Sequence, residues 1–196
     1  MLNKKNVSRL LGVAAVTALI GLPLAHAQTG GTNTSNAATS SASGSAQSSV
    51  SKGDREFMED IAHANLAEIA TGKMALEKTQ NAEVKQFAQK MIDDHTKAQD
   101  ELKQLADAKG VKLPDDPGMA KKTKAMTTLK PLTGDTFDKQ YIKHAGVGDH
   151  ENAHKLLAKV QSKAKDADLK VYAEKTIKAV DEHLNMAKSM EQNMKK

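Results

Sequence analysis

The sequence predicts an all-α four-helix bundle. Apolar residues recur at three- and four-residue spacing through four separate segments after Gly53, the signature of amphipathic helices. Ala, Lys, Leu, Met and the acidic residues dominate, only 3% of residues are aromatic and Trp is absent, a composition of unbranched side chains that lose little rotamer freedom in a helix. There is no cysteine, so neither disulfides nor thiolate-bound metal can substitute for a packed core.

The first helix is expected from about Asp54 to Thr79, with Asp54 as N-cap and Phe57, Met58, Ile61, Ala62, Ile69 and Leu76 on its inner stripe. Asn81 caps the second, whose stripe holds Val84, Phe87, Met91, Ala98, Leu102 and Leu105, and Gly110 stops it. The third begins near Asp135 and carries Phe137, Tyr141, Ile142, Ala153, Leu157 and Val160. Gly146 and Gly148 interrupt it, each costing about 1 kcal/mol relative to Ala unless they permit close helix approach. The fourth starts at Asp166 or Asp168 and places Leu169, Tyr172, Ala173, Ile177, Val180, Ala187 and Met190 inward.

Only a few residues separate the first helix from the second and the third from the fourth, so each pair forms an antiparallel hairpin. Residues 110–134, with Pro114, Pro117 and Pro131, form a long connection in which Met119 to Lys130 is expected to make a short helix. Helices of about 40 Å and a connection of comparable reach favour two hairpins joined by a crossover, the ferritin-like arrangement, over a simple up-and-down bundle.

Ahead of the bundle, residues 1–27 read as a secretory signal. Lys4, Lys5 and Arg9 form its basic start, Leu10 to Leu24 its apolar stretch, and Ala25-His26-Ala27 its cleavage site. The stretch is short for a membrane span of about 20 residues, so cleavage is favoured over anchoring. Residues 28–52 are rich in Ser, Thr, Gly and Ala and read as a disordered linker, leaving 53–196 as the helical domain. The net charge of +5 drops with the leader's three basic residues, to 26 basic against 24 acidic. That balance, with no basic stripe interleaved with aromatics, argues against nucleic acid as a partner. The expected location is periplasmic or secreted, with no membrane span after cleavage; a second copy or an envelope component is the expected class of partner.

Four polar residues interrupt the apolar stripes. His95 shares the face of Met91, Ala98 and Leu102; His150 is in register with Ala153 and Leu157; His183 follows Val180 and precedes Ala187; Glu68 lies seven residues after Ile61. Counted from the two hairpin turns, all four fall at similar depth. One layer of the bundle then holds a carboxylate and three imidazoles, a donor set suited to one zinc, iron, manganese or copper ion. The competing reading is that these are hydrogen-bonded core residues of a non-catalytic interaction protein. Asp94 and His154 are further candidates, while His63 and His144 are expected at the surface and the Met residues in the core. No nucleophile–base–acid arrangement, phosphate-binding glycine loop or CxxC pair is present, so no catalytic residue is assigned.

The stretch EIATGKMALEKTQNAEVKQFAQKMIDDHTKAQDELKQLADAKGVKLP, followed by FDKQYIKHAGVGDHENAHKLL and LKVYAEKTIKAVDEHLNMA, resembles the bacterial family called domain of unknown function 4142 over nearly all of residues 53–190. The resemblance implies a ferritin-like fold and export, and the family's histidines correspond to His95, His150 and His183. It assigns no activity. Ferritin-like di-iron proteins carry Glu-x-x-His on two helices. Here Ile92 precedes His95 by three and Val180 precedes His183 by three, which disfavours a di-iron centre.

Overall fold

The structure, a computed structural model, describes residues 50–119, 122 and 127–195. The expected signal sequence, and the expected linker up to residue 49, lie outside the described residues, as does half of the short helix expected over Met119 to Lys130. Helix α1 spans Lys52–Lys78 and α2 spans Ala82–Ala108. Helix α3 is composite: Gly134–Tyr141 is α-helical, Ile142–Asp149 is π-helical, and His150–Lys163 returns to α-helix. Helix α4 spans Ala167–Asn193.

Side-chain caps set three of the four starts. Asn81 accepts hydrogen bonds from the Glu83 and Val84 amides, and Asp166 accepts from Leu169 N. The first helix starts earlier than expected, because Ser51 rather than Asp54 is its N-cap; Ser51 Oγ accepts from Asp54 N. Asp54 instead accepts from Lys165 N at 3.0 Å and Asp166 N at 3.2 Å, satisfying two amides at the turn between α3 and α4.

These long-range contacts fix the topology. The start of α1 meets the end of α3 through Asp54, and the end of α2 meets the start of α4 through the Lys109–Asp166 ion pair at 2.6 Å. At the other end of the bundle, Lys78 Nζ donates to the carbonyls of Lys130 and Leu132, just before α3. Helices α2 and α3 therefore run parallel, and the connection between them travels the length of the bundle past His63, whose Nδ1 lies 3.0 Å from Asp116 O. Helix α1 packs on α2 and α3, and α4 on α3 and α2. This is the ferritin-like pair of hairpins with a long crossover.

The core has two apolar halves. One gathers Met58, Ile61, Leu102, Leu157, Leu169 and Val180. The other gathers Val84, Phe87, Met91, Phe137, Tyr141 and Ala187. Between them on the four helices lie buried polar residues: Asn65, Glu68 and Thr71 on α1, His95 on α2, His150 on α3 and His183 on α4. A fully buried Leu or Phe contributes about 1.5–3 kcal/mol, whereas a buried polar group costs free energy unless it is hydrogen-bonded or otherwise partnered. A polar layer across the middle of an apolar core therefore calls for a reason other than stability.

Candidate metal centre

The three histidines come together. His95, His150 and His183 are 5%, 1% and 1% exposed, so all three rings sit inside the bundle. Their centroids form a near-equilateral triangle of 5.5, 5.6 and 5.3 Å. One donor atom from each lies within 4.8 Å of the other two, the one such group found among the described residues.

Each ring commits one nitrogen outward. His95 Nδ1 lies 3.1 Å from Asn65 Oδ1. The Asn65 amide nitrogen points the other way, toward Gln99 Oε1 and Tyr172 OH, so its oxygen faces the ring and His95 Nδ1–H is the donor. His150 Nδ1–H donates to the Ala145 carbonyl at 2.9 Å, and His183 Nε2–H donates to Asp94 Oδ2 at 2.7 Å. A carbonyl and a carboxylate only accept, so each fixes its histidine's tautomer. What remains is His95 Nε2, His150 Nε2 and His183 Nδ1, each with a lone pair. His150 Nε2 and His183 Nδ1 are 3.3 Å apart, and the buried His95 Nε2 has no hydrogen-bond partner among the described residues.

A proton does not readily bridge these lone pairs. Burial, followed by the neighbouring His150 and His183, pushes His95 down to about 3. Burial also pushes His150 down to about 4 and lowers His183, although Asp94 opposes the shift on His183. Burial pushes the Asp94 carboxyl up, but the hydrogen bonds from Lys90 and His183 outweigh it and hold it below its ordinary value. The charge therefore rests on Asp94, and the rings are neutral donors. Outer N–H groups held by carbonyl or carboxylate acceptors are the arrangement that orients metal-bound imidazoles. Two nitrogens about 2.05 Å from a tetrahedral ion stand ~3.3 Å apart, the separation of the His150–His183 pair, and the wider pairs need to close by up to ~1.5 Å.

The local chain explains the placement. Gly146 sits where α3 presses on α4, and a Cβ there would lie 2.9 Å from Ala187 Cβ. The π-helical turn around it ends at His150, so the widened backbone carries Ala145 O to the His150 ring. Of the two glycines that interrupt the third helix in the sequence, Gly146 thus marks a close helix approach beside the site, while a Cβ on Gly148 would meet only Lys143 O at 3.6 Å.

Glu68 is also buried, at 6% exposure, but it is not part of the close group of three. It lines a cavity of about 320 Å³ together with Asn65, His95 and His150. It also lies near Tyr141, whose hydroxyl pKa is raised well above its ordinary value by burial first and by the Glu68 charge second. Asn65 stands fifteen residues before Gln80 and His95 fifteen after it, so these two face each other across the hairpin, and Glu68 falls one turn further along. Asn65 is the site residue the sequence reading missed; a polar side chain on the stripe of Ile61 and Ala62 was its signal. Of the further candidates, Asp94 is the acceptor for His183, while His154 is 43% exposed in its side chain and pairs with Asp181 at 2.7 Å, away from the group. Among the expected surface histidines, His63 and His144 are half-buried, and His144 reaches the cavity wall.

Two solved structures share this fold. A DUF305 protein from Streptomyces coelicolor, inferred to be secreted, is 12% identical, with 72% of this chain and 93% of that chain covered at a TM-score of 0.61. CopM in its Cu(II)-bound form is 18% identical, with 71% of this chain and 96% of that chain covered at a TM-score of 0.55. Identities this low speak for the fold alone. The comparison with curated proteins found no match. No helix among the described residues is long and apolar enough to cross a membrane. A family model spans residues 39–190, and the chain belongs to that family, the domain of unknown function DUF4142.

Proposed function

We propose that this protein is an exported metal-binding bundle that holds one first-row transition-metal ion on His95 Nε2, His150 Nε2 and His183 Nδ1. The observation that carries the reading is the convergence of three buried lone pairs whose rings are all fixed by outward hydrogen bonds. Such a layer costs stability without an ion and gains it with one. Export rests on the leader read from residues 1–27.

Three neutral imidazoles suit zinc and copper better than manganese, which prefers oxygen donors. Copper(II) stands above zinc in the affinity order for nitrogen sites, and the shared fold of a Cu(II)-bound protein points the same way. Three protein ligands leave a coordination position open, and Glu68 lies in the wall of the cavity beside it rather than in the ligand group.

The test is an equilibrium titration of tag-free protein against a competing chelator. One Cu²⁺ or Zn²⁺ per chain, with affinity falling at least tenfold in His150→Ala, is the expected result. No stoichiometric uptake, or equal uptake by the variant, would leave the histidines as structural core residues.

A further inference from the structure

A second cavity, of about 330 Å³, lies at the end of the bundle where α2 and α3 begin and α4 stops. Glu83 reaches it from the first turn of α2, Asp135, Asp138 and Lys139 from the start of α3, and Asn193 and Met194 from the end of α4. It is remote from the histidine layer: Glu83 precedes His95 by twelve residues of α2, roughly 18 Å along the helix.

Asp138 is the buried member of this lining. It is 5% exposed, and its Oδ1 is shut off from water with no hydrogen-bond partner among the described residues. A carboxylate taken out of water costs free energy unless a cation or hydrogen-bond donors compensate it. Glu83, Asp135 and Lys139 are exposed and form the rim, so three carboxylates face one ammonium and the lining carries a net charge of −2. The positive dipole ends of α2 and α3 offset part of that charge, and the negative end of α4 adds to it. A bare metal ion fits this arrangement poorly. The three histidines are the one group of three or more donors within 4.8 Å of one another among the described residues, so Glu83, Asp135 and Asp138 do not close together on a single ion. An alkylammonium carries three N–H donors that reach acceptors standing apart, and its methylenes can pack on the Met194 side chain.

Independently of the histidine centre, we propose that this end cavity binds a short aliphatic diamine in its doubly protonated form, with one ammonium on the Asp138 carboxylate and the other on the rim at Asp135. The two charges of the ligand match the net charge of the lining. Asp135 and Asp138 stand three residues apart on α3, about 5–6 Å between Cβ atoms, a separation that a four-carbon chain spans. Glu83 faces the same space from α2 and reinforces the rim.

The test is isothermal titration calorimetry of the protein with 1,4-diaminobutane, n-butylamine, Mg²⁺ and Ca²⁺ in turn, at about 0.15 M salt, where loosely held surface counterions are screened. The expected result is saturable binding of one equivalent of the diamine, at least tenfold tighter than of n-butylamine or either metal ion. Asp138→Asn keeps the side chain's shape and removes its charge; it should weaken diamine binding at least tenfold without lowering the urea midpoint, which a merely structural carboxylate would not allow. Lys139→Gln, on the exposed rim, removes the one positive charge of the lining and should tighten diamine binding severalfold, which keeps the test decisive if Asp138→Asn does not fold. No saturable heat, a metal ion or the monoamine binding as tightly as the diamine, unchanged diamine affinity in Asp138→Asn, or unchanged or weaker affinity in Lys139→Gln would overturn the proposal.

Discussion

His150 Nε2 and His183 Nδ1 face each other at 3.3 Å, and both rings have already committed their only N–H, one to the Ala145 carbonyl and one to Asp94. Two imidazole lone pairs at that separation repel unless a proton or a metal ion lies between them. Burial disfavours the proton, so the arrangement is most readily completed by a cation with affinity for nitrogen.

Asp94 is expected to set metal affinity without touching the ion. Its carboxylate receives His183 Nε2–H at 2.7 Å and also receives Lys90. Removing such an outer partner typically lowers metal affinity 10–100-fold. Asp94→Ala should therefore weaken Cu²⁺ or Zn²⁺ binding by about that factor in a competition titration, with the helical circular dichroism spectrum unchanged. Unaltered affinity would show that His183 needs no help in presenting Nδ1.

Asn65 is expected to affect both binding and stability. Its oxygen accepts from His95, and its amide nitrogen reaches Gln99 and Tyr172. Asn65→Leu leaves His95 Nδ1–H without this buried acceptor, which costs about 1–3 kcal/mol in a urea unfolding series. The same variant should bind metal more weakly, because His95 is then free to turn its ring. A variant as stable as the parent and equally avid for metal would remove Asn65 from the site.

Acid should destabilise the metal-free protein well above the range in which carboxylates titrate. Folded His95 and His150 are held at about 3 and about 4, chiefly by burial. An unfolded chain binds the same protons near the ordinary histidine value of about 6.5, so below that pH the unfolded state holds more protons and stability falls. The loss runs from about pH 6.5 downward until each folded value is reached, and amounts to up to about 2 kcal/mol per histidine between pH 7 and 5. The urea midpoint should drop accordingly for the wild type and, with the His150 share still present, about half as far for His95→Leu. A midpoint flat over this interval would mean that the rings are open to water.

Gly146→Ala probes the helix approach beside the site. The added methyl would lie 2.9 Å from Ala187 Cβ, so α3 or α4 must shift. Overpacking of this kind costs about 1–3 kcal/mol. A lowered thermal midpoint with reduced metal affinity is expected, since His150 lies four residues on; a midpoint at or above the parent's would show slack between these helices.

The helices and the crossover were legible because apolar spacing, caps and turn residues agree along the chain. The histidines were legible because each replaces an apolar residue on a stripe, at similar distance from its hairpin turn. Three features were not. Glu68 was expected in the same layer because depth is read from a sequence only to within about one turn; the three imidazoles form the close group without it, and equal offset from Gln80 selects Asn65 as the partner of His95. The π-helical stretch has no periodic signature of its own, and Gly146 and Gly148 appear in the sequence only as weak points in a helix. Asp54 looked like a cap because acidic residues favour helix starts, yet its carboxylate serves amides 111 and 112 residues away, a contact only the tertiary fold creates.

X-ray absorption on the Cu²⁺-loaded protein, alongside His150→Ala, tests the three-imidazole centre most directly. The expected spectrum shows nitrogen scatterers at about 2.0 Å with the outer-shell pattern of three imidazole rings, falling to two in the variant. A first shell dominated by oxygen, or one that does not change when His150 is removed, would contradict it.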